Sequence, residues 1–251
     1  MILAAGRGER ARPLSDSIPK PLFPVNGYPL ISYPLGLLKG FGVTDVVVNV
    51  HHLADQIEET LDHVQGLTIH ISREPSLLET GGGLAKARSL VGNEPFLLLN
   101  GDVICDVDLD AVLADHSDAG AVATMVLRDQ QEDGTYAPVA FEPHTRLVKD
   151  LRGDIGYHSE TSVPMLFTGV HVLEPTVFEY LFPMKESIVD AFYLPAIREG
   201  LRVNGFVADR YWADLGTMET HRRVSEEIAG IDLRFAKPLP LPVRDVPLAE
   251  S

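Results

Sequence analysis

Arg7, Arg10, Arg12 and Lys20 place four cations in the first 20 residues of a chain whose formal net charge is −15. Only Glu9 and Asp16 oppose them there, and Gly6 and Gly8 lie among them. Glycine lets backbone N–H groups reach a ligand with no Cβ in the way, while arginine and lysine neutralise negative charge. A cationic, glycine-rich mouth on an acidic protein suits a polyanion, most simply a chain of phosphates. Arg10 and Lys20 are the candidates for offsetting the charge that develops in a phosphoryl-type transfer. Arg7 and Arg12 fit a solvated surface pair equally well. Further along, Asp102 follows an apolar run in Leu99-Asn-Gly-Asp102, and Asp214 lies in Tyr211-Trp-Ala-Asp-Leu-Gly216. Two separated aspartates suit Mg²⁺, a hard ion that takes one or two carboxylates and fills its shell with phosphate oxygens and water. On composition alone, Asn-Gly-Asp is a turn. A second glycine run, Glu79-Thr-Gly-Gly-Gly83, gives a backbone bare enough to lie against a flat base, and Thr80 there is also a candidate helix cap.

Other reactive residue types carry less. His51 and His52 are adjacent, so their side chains diverge on an extended segment and make a poor metal pair. His171 alternates with apolar residues in a strand and is expected to be a hydrogen-bonded structural histidine. The single cysteine, Cys105, excludes an internal disulfide and a cysteine-based zinc cluster, which fits a reducing cytoplasm. With a pI near 4.9 the chain lacks the basic face that a nucleic-acid binder needs to release counterions. No segment approaches the about 18 apolar residues of a membrane helix, and no signal peptide is expected from the N-terminal residues.

These residues need a scaffold. In the first half, short apolar runs alternate with amphipathic stretches. Ile2–Ala5, Val46–Val50, Leu67–Ile71 and Phe96–Leu99 have the continuous apolar character of buried strands. A helix is expected from Pro29 to about Gly40, kinked or shortened by Pro34; a second from about Leu53 to His63; and a third after Gly83. Strand–helix–strand repetition implies right-handed crossovers, and hence an α/β fold: a Rossmann-like mixed, mainly parallel sheet flanked by helices. After residue 120 or so, runs at 121–127, 138–141 and 167–173 have hairpin-like spacing. Helices are expected near 187–199 and 217–229, the last capped by Thr217 and stopped at Gly230. No linker divides the chain, so one domain over 1–235 is expected, with 236–251 as a Pro-rich extended strap or disordered tail.

Gly6-Arg-Gly8-Glu-Arg-Ala11 also fits G-x-G-x-x-A, so a dinucleotide-binding Rossmann loop has to be weighed. That loop must open a long helix and be followed, about 20 residues on, by an acidic residue at the end of a second strand. Pro13, Pro19, Pro21 and Pro24 forbid such a helix, and no second strand fits before residue 45. The loop is therefore better suited to wrapping a triphosphate.

Leu3-Ala-Ala-Gly-Arg-Gly-Glu-Arg10, Arg12-Pro-Leu and Pro19-Lys-Pro-Leu-Phe-Pro-Val25 together resemble the signature of the sugar-1-phosphate nucleotidyltransferases. The likeness continues through Glu79–Gly83, Asn100-Gly-Asp102 and Trp212–Thr217, and thins between about 130 and 165. It implies the GT-A-like fold of nucleotide-diphospho-sugar transferases. It also implies a reaction that joins a nucleoside triphosphate to a sugar 1-phosphate, giving an NDP-sugar and pyrophosphate. By the same resemblance, Leu3, Ala4, Ala5, Gly6, Gly8, Arg10, Glu79, Thr80, Gly81, Gly82 and Asn100 bind the nucleotide. Asp102 and Asp214 match the family's Mg²⁺-binding aspartates; Arg10, Lys20 and Asp102 are the catalytic set; and Tyr136, Ala137, Thr168 and Gly169 line the sugar side. Two departures bear on the sugar: Tyr136-Ala137 stands where many relatives have Tyr-Gly, and Phe167-Thr-Gly169 where they have Asn-Ala-Gly. With no Glu-Lys-Pro triplet present, the chain looks more like the mannose-1-phosphate guanylyltransferase-like members, with the short N-acetylmuramate-1-phosphate uridylyltransferases as the alternative. The expected partners are thus a triphosphate and a sugar 1-phosphate, mannose 1-phosphate favoured, with a homo-oligomer left open and neither nucleic acid nor membrane expected. A non-catalytic nucleotide-sugar-binding subunit on the same fold is the competing class.

Overall fold

The computed structural model describes residues 1–130 and 136–243, so 244–251 of the Pro-rich tail lie outside the described residues. In chain order the elements are β1 (Ile2–Leu3), β2 (Pro24–Val25), β3 (Tyr28–Pro29), α1 (Ser32–Gly40), β4 (Asp45–Val50), α2 (Ala54–Leu61) and β5 (Thr68–Arg73). Then come α3 (Glu79–Lys86), α4 (Arg88–Val91), β6 (Phe96–Asn100), β7 (Val103–Cys105), α5 (Leu109–Ala119) and β8 (Ala123–Asp129). The remainder are β9 (Val139–Glu142), β10 (Leu147–Leu151), β11 (Val163–Leu173), α6 (Leu194–Arg198), β12 (Val203–Val207), β13 (Trp212–Asp214) and α7 (Met218–Glu227).

A nine-stranded sheet runs β5-β4-β1-β6-β11-β8-β12-β10-β9. Its first four strands are parallel, as the strand–helix alternation implies. The long β11 then runs antiparallel to β6 and β8, while β12 pairs parallel with β8. The sheet is therefore mixed, parallel across β5-β4-β1-β6 and between β8 and β12, and antiparallel on both sides of β11, which is inserted between β6 and β8. Both faces are covered: in β4, Val46, Val48 and Val50 enter one core while Val47 enters the other, and in β6 Leu97 and Leu99 oppose Leu98 in the same way. That two-sided burial is why these strands are continuous apolar runs.

Pro34 shortens α1 rather than kinking it. The helix starts at Ser32, so the ring occupies the first turn, where a missing N–H costs nothing. α3 departs further from expectation, because it begins at Glu79 and takes Gly81, Gly82 and Gly83 into its body. α7 behaves as its sequence implies: Thr217 Oγ1 accepts from the Thr220 N–H and Thr220 Oγ1 accepts from the Thr217 N–H, a reciprocal cap. The described part of the tail is ordered against α1. The Leu239 N–H donates to the Ser32 carbonyl, Ala236 and Leu241 are buried, and a Cβ on Gly36 would lie 1.8 Å from the Lys237 carbonyl oxygen.

Candidate functional site

The four parallel strands end on one edge, where such sheets leave room for ligands, and a cleft of about 560 Å³ opens there. Its floor is the turn after β1, walled by the turn after β6 and the start of α3. Leu3, Ala4, Ala5, Gly6, Gly8, Arg10, Lys20, Glu79, Thr80, Asn100 and Asp102, all expected from the sequence, line it. Gly8 has φ +63, the left-handed region, and opens the short helical turn Glu9–Ala11; its Cβ would lie 3.1 Å from that of Ser15. The Cβ side of Gly6 faces open space, so a ligand can reach its backbone. Gly101 is required for a different reason. Its N–H donates to the Leu3 carbonyl at 2.8 Å, and a Cβ there would lie 2.6 Å from that oxygen.

β7 and β13 form a two-stranded ribbon in which Val103 is opposite Asp214, and the Leu215 N–H donates to the Asp102 carbonyl. The ribbon thus brings together two aspartates 112 positions apart in sequence, Asp102 and Asp214. Lys20 completes the group: its Nζ is 2.6 Å from Asp102 Oδ2 and 4.0 Å from Asp214 Oδ1, and its side chain is 8% exposed. Burial, then the like charge of Asp102, pushes the Asp214 carboxyl above the usual carboxylate range, while Lys20, Arg10 and Tyr136 offset part of that. Asp214 Oδ1 is buried with no hydrogen-bond partner. An orphaned hard oxygen beside a second carboxylate fits a divalent cation that draws its other ligands from phosphate and water. Among the described residues no larger His, Cys, Asp or Glu cluster of metal-holding shape exists. The Arg10 guanidinium is exposed but reaches over Gly216, where a Cβ would meet its Nη2 at 3.1 Å. Arg12 forms an exposed ion pair with Asp16, consistent with a surface role.

A glycine-rich turn at a sheet edge, facing a buried lysine and two aspartates, is the geometry against which relatives can be compared. The nucleotidyl transferase family pattern matches residues 1–230. The chain belongs to that family. It is 35% identical over 226 residues to an N-acetylmuramate alpha-1-phosphate uridylyltransferase of Neisseria meningitidis, covering 87% of this chain and 93% of that protein. It is 30% identical over 223 residues to a mannose-1-phosphate guanyltransferase of Schizosaccharomyces pombe, covering 86% of this chain but only 60% of that longer protein. In fold it is similar to the UTP-bound UGPase of Acinetobacter baumannii, with a TM-score of 0.77, 17% identity and 94% of each chain covered. Among the described residues, no helix of this nucleotidyl transferase is long and apolar enough to cross a membrane.

Some expected residues of the transferase lie elsewhere. Gly81 and Gly82 do not line the cleft. Their N–H groups donate to the Glu186 carbonyl, and a Cβ on Gly82 would lie 1.7 Å from the Met184 carbonyl oxygen. The run is bare where segment 184–188 seats on α3. Thr80 caps nothing at the helix start; its Oγ1 accepts from the Ile188 N–H. Glu79, where the glycine-rich run begins, has φ +62 and is thus a non-glycine residue held left-handed at the cleft wall. On the sugar side, Thr168 is buried and its hydroxyl donates to the Val126 carbonyl, while its own carbonyl accepts from Trp212 Nε1. Gly169 has φ +84 in the irregular part of β11, and a Cβ there would lie 2.7 Å from Asn100 Nδ2. Both therefore shape the support of Asn100 and Trp212 instead of presenting side chains to the cleft. Tyr136 packs edge-on to Trp212 and turns its hydroxyl toward Asp214; burial and that carboxylate push the phenol up to about 12. Ala137 does not line the cleft.

Sequence reasoning missed the residues that hold the cleft open. Asn49 and Glu74, each 2% exposed, form a buried chain behind it. Ala4 N–H donates to Asn49 Oδ1 at 2.7 Å, Asn49 Nδ2 donates to Glu74 Oε1 at 2.7 Å, and Leu78 N–H donates to Glu74 Oε2 at 2.9 Å. A Cβ on Gly83 would lie 2.6 Å from Glu74 Oε1, which explains the third glycine. The signal was a single polar residue in Val46-Val-Val-Asn-Val50. His171, in contrast, is the structural histidine its context implies: its Nδ1 pairs with the Tyr193 hydroxyl at 2.6 Å, and burial lowers it to about 3.

Proposed function

We propose that this nucleotidyl transferase joins a nucleoside triphosphate to a sugar 1-phosphate, with residues 1–235 as one catalytic domain. A sugar-phosphate oxygen attacks the α-phosphorus in line, the new P–O bond forms as the bond to the β-phosphate oxygen breaks, and pyrophosphate leaves. No covalent enzyme intermediate is needed, so catalysis is positioning and charge neutralisation. The observation that carries this reading is the meeting of Lys20, Asp102 and Asp214, from three distant segments, at the edge of the glycine-rich cleft. Lys20 neutralises the sugar phosphate and the charge developing at the α-phosphate, and Arg10 grips the departing pyrophosphate. Leu3, Ala4, Ala5, Gly6 and Gly8 offer backbone groups to the nucleotide beside Glu79, Thr80 and Asn100. Tyr136 borders the sugar side. Asp102 and Asp214 would hold Mg²⁺, which when bound supplies positive charge to the phosphates. The rigid Asn49–Glu74 chain fixes the cleft before substrate arrives.

For the substrate pair, UTP with N-acetylmuramate 1-phosphate is favoured over GTP with mannose 1-phosphate. The Neisseria relative supports this choice because it matches over nearly its whole length, whereas the yeast guanyltransferase extends well beyond the match. The test is a pyrophosphate-release screen crossing four triphosphates with N-acetylmuramate, mannose, glucose and N-acetylglucosamine 1-phosphates in the presence of Mg²⁺. Release that depends on both partners is expected. Ligand binding without release in any combination would instead indicate the non-catalytic binding subunit.

A further inference from the structure

Lys20 is already seated where a cation would have to act. Its ammonium is 2.6 Å from Asp102 Oδ2 and 4.0 Å from Asp214 Oδ1, and it is largely withdrawn from water. The backbone beneath it cannot recoil. Lys20 begins a short helical turn between Pro19 and Pro21, and the Leu22 and Phe23 N–H groups close that turn onto the Pro19 and Lys20 carbonyls. Leu22 and Phe23 are buried, and His221 of α7 packs edge-on to Phe23 while its Nε2 bonds the Pro24 carbonyl. Only the flexible four-carbon stem of Lys20 is free to swing.

We propose that Lys20 is an internal counter-ion that holds the acid pair until phosphate draws it away, so that a divalent cation is captured together with nucleotide rather than before it. With Lys20 in place the two carboxylates carry a net single negative charge, and an incoming dication meets a fixed like charge a few ångströms away. With Lys20 removed, the repulsion from its ammonium is gone and the exposed Arg10 is left as the cation acting on Asp214. A polyphosphate in the cleft offers the ammonium a stronger anionic partner and frees both carboxylates at once. The proposal rests on the nucleotidyl-transfer reading for the identity of the phosphate, but the competition between Lys20 and a cation does not depend on turnover.

The experiment is Mn²⁺ binding to the full chain, read by the loss of the free-ion electron-spin signal, with no nucleotide present. Lys20→Met keeps the stem and removes the charge, and is expected to bind Mn²⁺ at least about tenfold more tightly than wild type, whereas Lys20→Arg stays weak. The double variant K20M/D214N should lose the added affinity. Equal or weaker binding in K20M, or tighter binding that survives D214N, overturns the proposal. Should K20M fail to fold, the wild type decides. Mn²⁺ should bind the complex with a non-hydrolysable UTP analogue at least about tenfold more tightly than it binds the free protein or the free analogue, and absence of that coupling also overturns it. Tightening in K20M without pyrophosphate release by wild type would refute the activity and leave the counter-ion role intact; release without tightening would do the reverse.

Discussion

Glu74 is the residue on which a pre-built cleft most depends. Its carboxylate is buried and accepts from Asn49 Nδ2 and from the Leu78 N–H, and Asn49 in turn accepts from the Ala4 N–H at the floor of the site. Glu74→Ala strands two buried donors, each costing about 1–3 kcal/mol, so a loss of about 2–6 kcal/mol is expected. Glu74→Gln keeps the shape but turns its amide N–H₂ toward one of those donors, for a loss of about 1–3 kcal/mol. Against a total stability of about 5–15 kcal/mol both should be plain in urea unfolding, and a 2 kcal/mol loss should lower Tm by roughly 4–8 °C in a chain of this size. The two turns also lose their common brace, so KM for the triphosphate should rise more than kcat falls. Unfolding of Glu74→Ala within about 1 °C of wild type, less than the shift for even a 1 kcal/mol loss, with KM unchanged, would show that Glu74 does not brace the cleft.

Three further outcomes follow from the packing and charge. Gly36→Ala drives a Cβ to 1.8 Å from the Lys237 carbonyl oxygen and should expel the segment after Phe235 from α1, which limited proteolysis reads as new cleavage beyond that residue. Burial raises the Asp106 carboxyl, but the N–H groups of Ala236, Phe235 and Arg234 and the Arg210 guanidinium more than reverse this and hold it below the usual range. Its stabilising contribution is therefore present above the unfolded value near 3.9 and is lost as pH falls through the depressed folded value, so the Tm gap between wild type and Asp106→Asn should be widest at neutral pH and narrow below about pH 4. Glu79→Gly removes a left-handed non-glycine residue worth roughly 1–2 kcal/mol of strain, offset by the added freedom of the unfolded chain. The Glu79 carboxylate also lies 3.5 Å from Lys185 Nζ, but both side chains are exposed and such a pair contributes little. Thermal unfolding should thus find the variant no less stable than wild type, and a clear loss would mean that the left-handed backbone at 79 carries no such strain.

The part of the site carried by chemistry-bearing residues could be read from the chain before folding. Arg10 and Lys20 stood out by charge and by their glycine- and proline-rich surroundings, Asp102 and Asp214 by position after apolar runs read together with the other motifs, and all four converge. What could not be read was which glycines serve a ligand and which serve packing. Gly6 and Gly82 are the same residue type in similar runs, yet one faces open space and the other a carbonyl oxygen more than 100 positions away in sequence. Pairings of that range are set by tertiary contacts that local periodicity does not encode. Thr168 and Gly169 show the same limit: they lie in β11, where a sheet irregularity sets Thr168 against the Val126 carbonyl and Gly169 against Asn100, contacts that the local sequence does not announce. Asn49 and Glu74 lie 25 positions apart, and only the parallel register of β4 against β5 makes them neighbours.

As proposed above, Asp102, with Lys20 and Asp214, forms the reacting centre of a sugar-1-phosphate nucleotidyl transfer. This role is tested most directly by Mg²⁺-dependent pyrophosphate release with the best substrate pair, wild type against Asp102→Ala, on protein shown by thermal unfolding to be folded. A fall in kcat of at least about 10²-fold is predicted, the scale seen when a single charge-stabilising group is removed. A rate in Asp102→Ala equal to that of the wild type would contradict it.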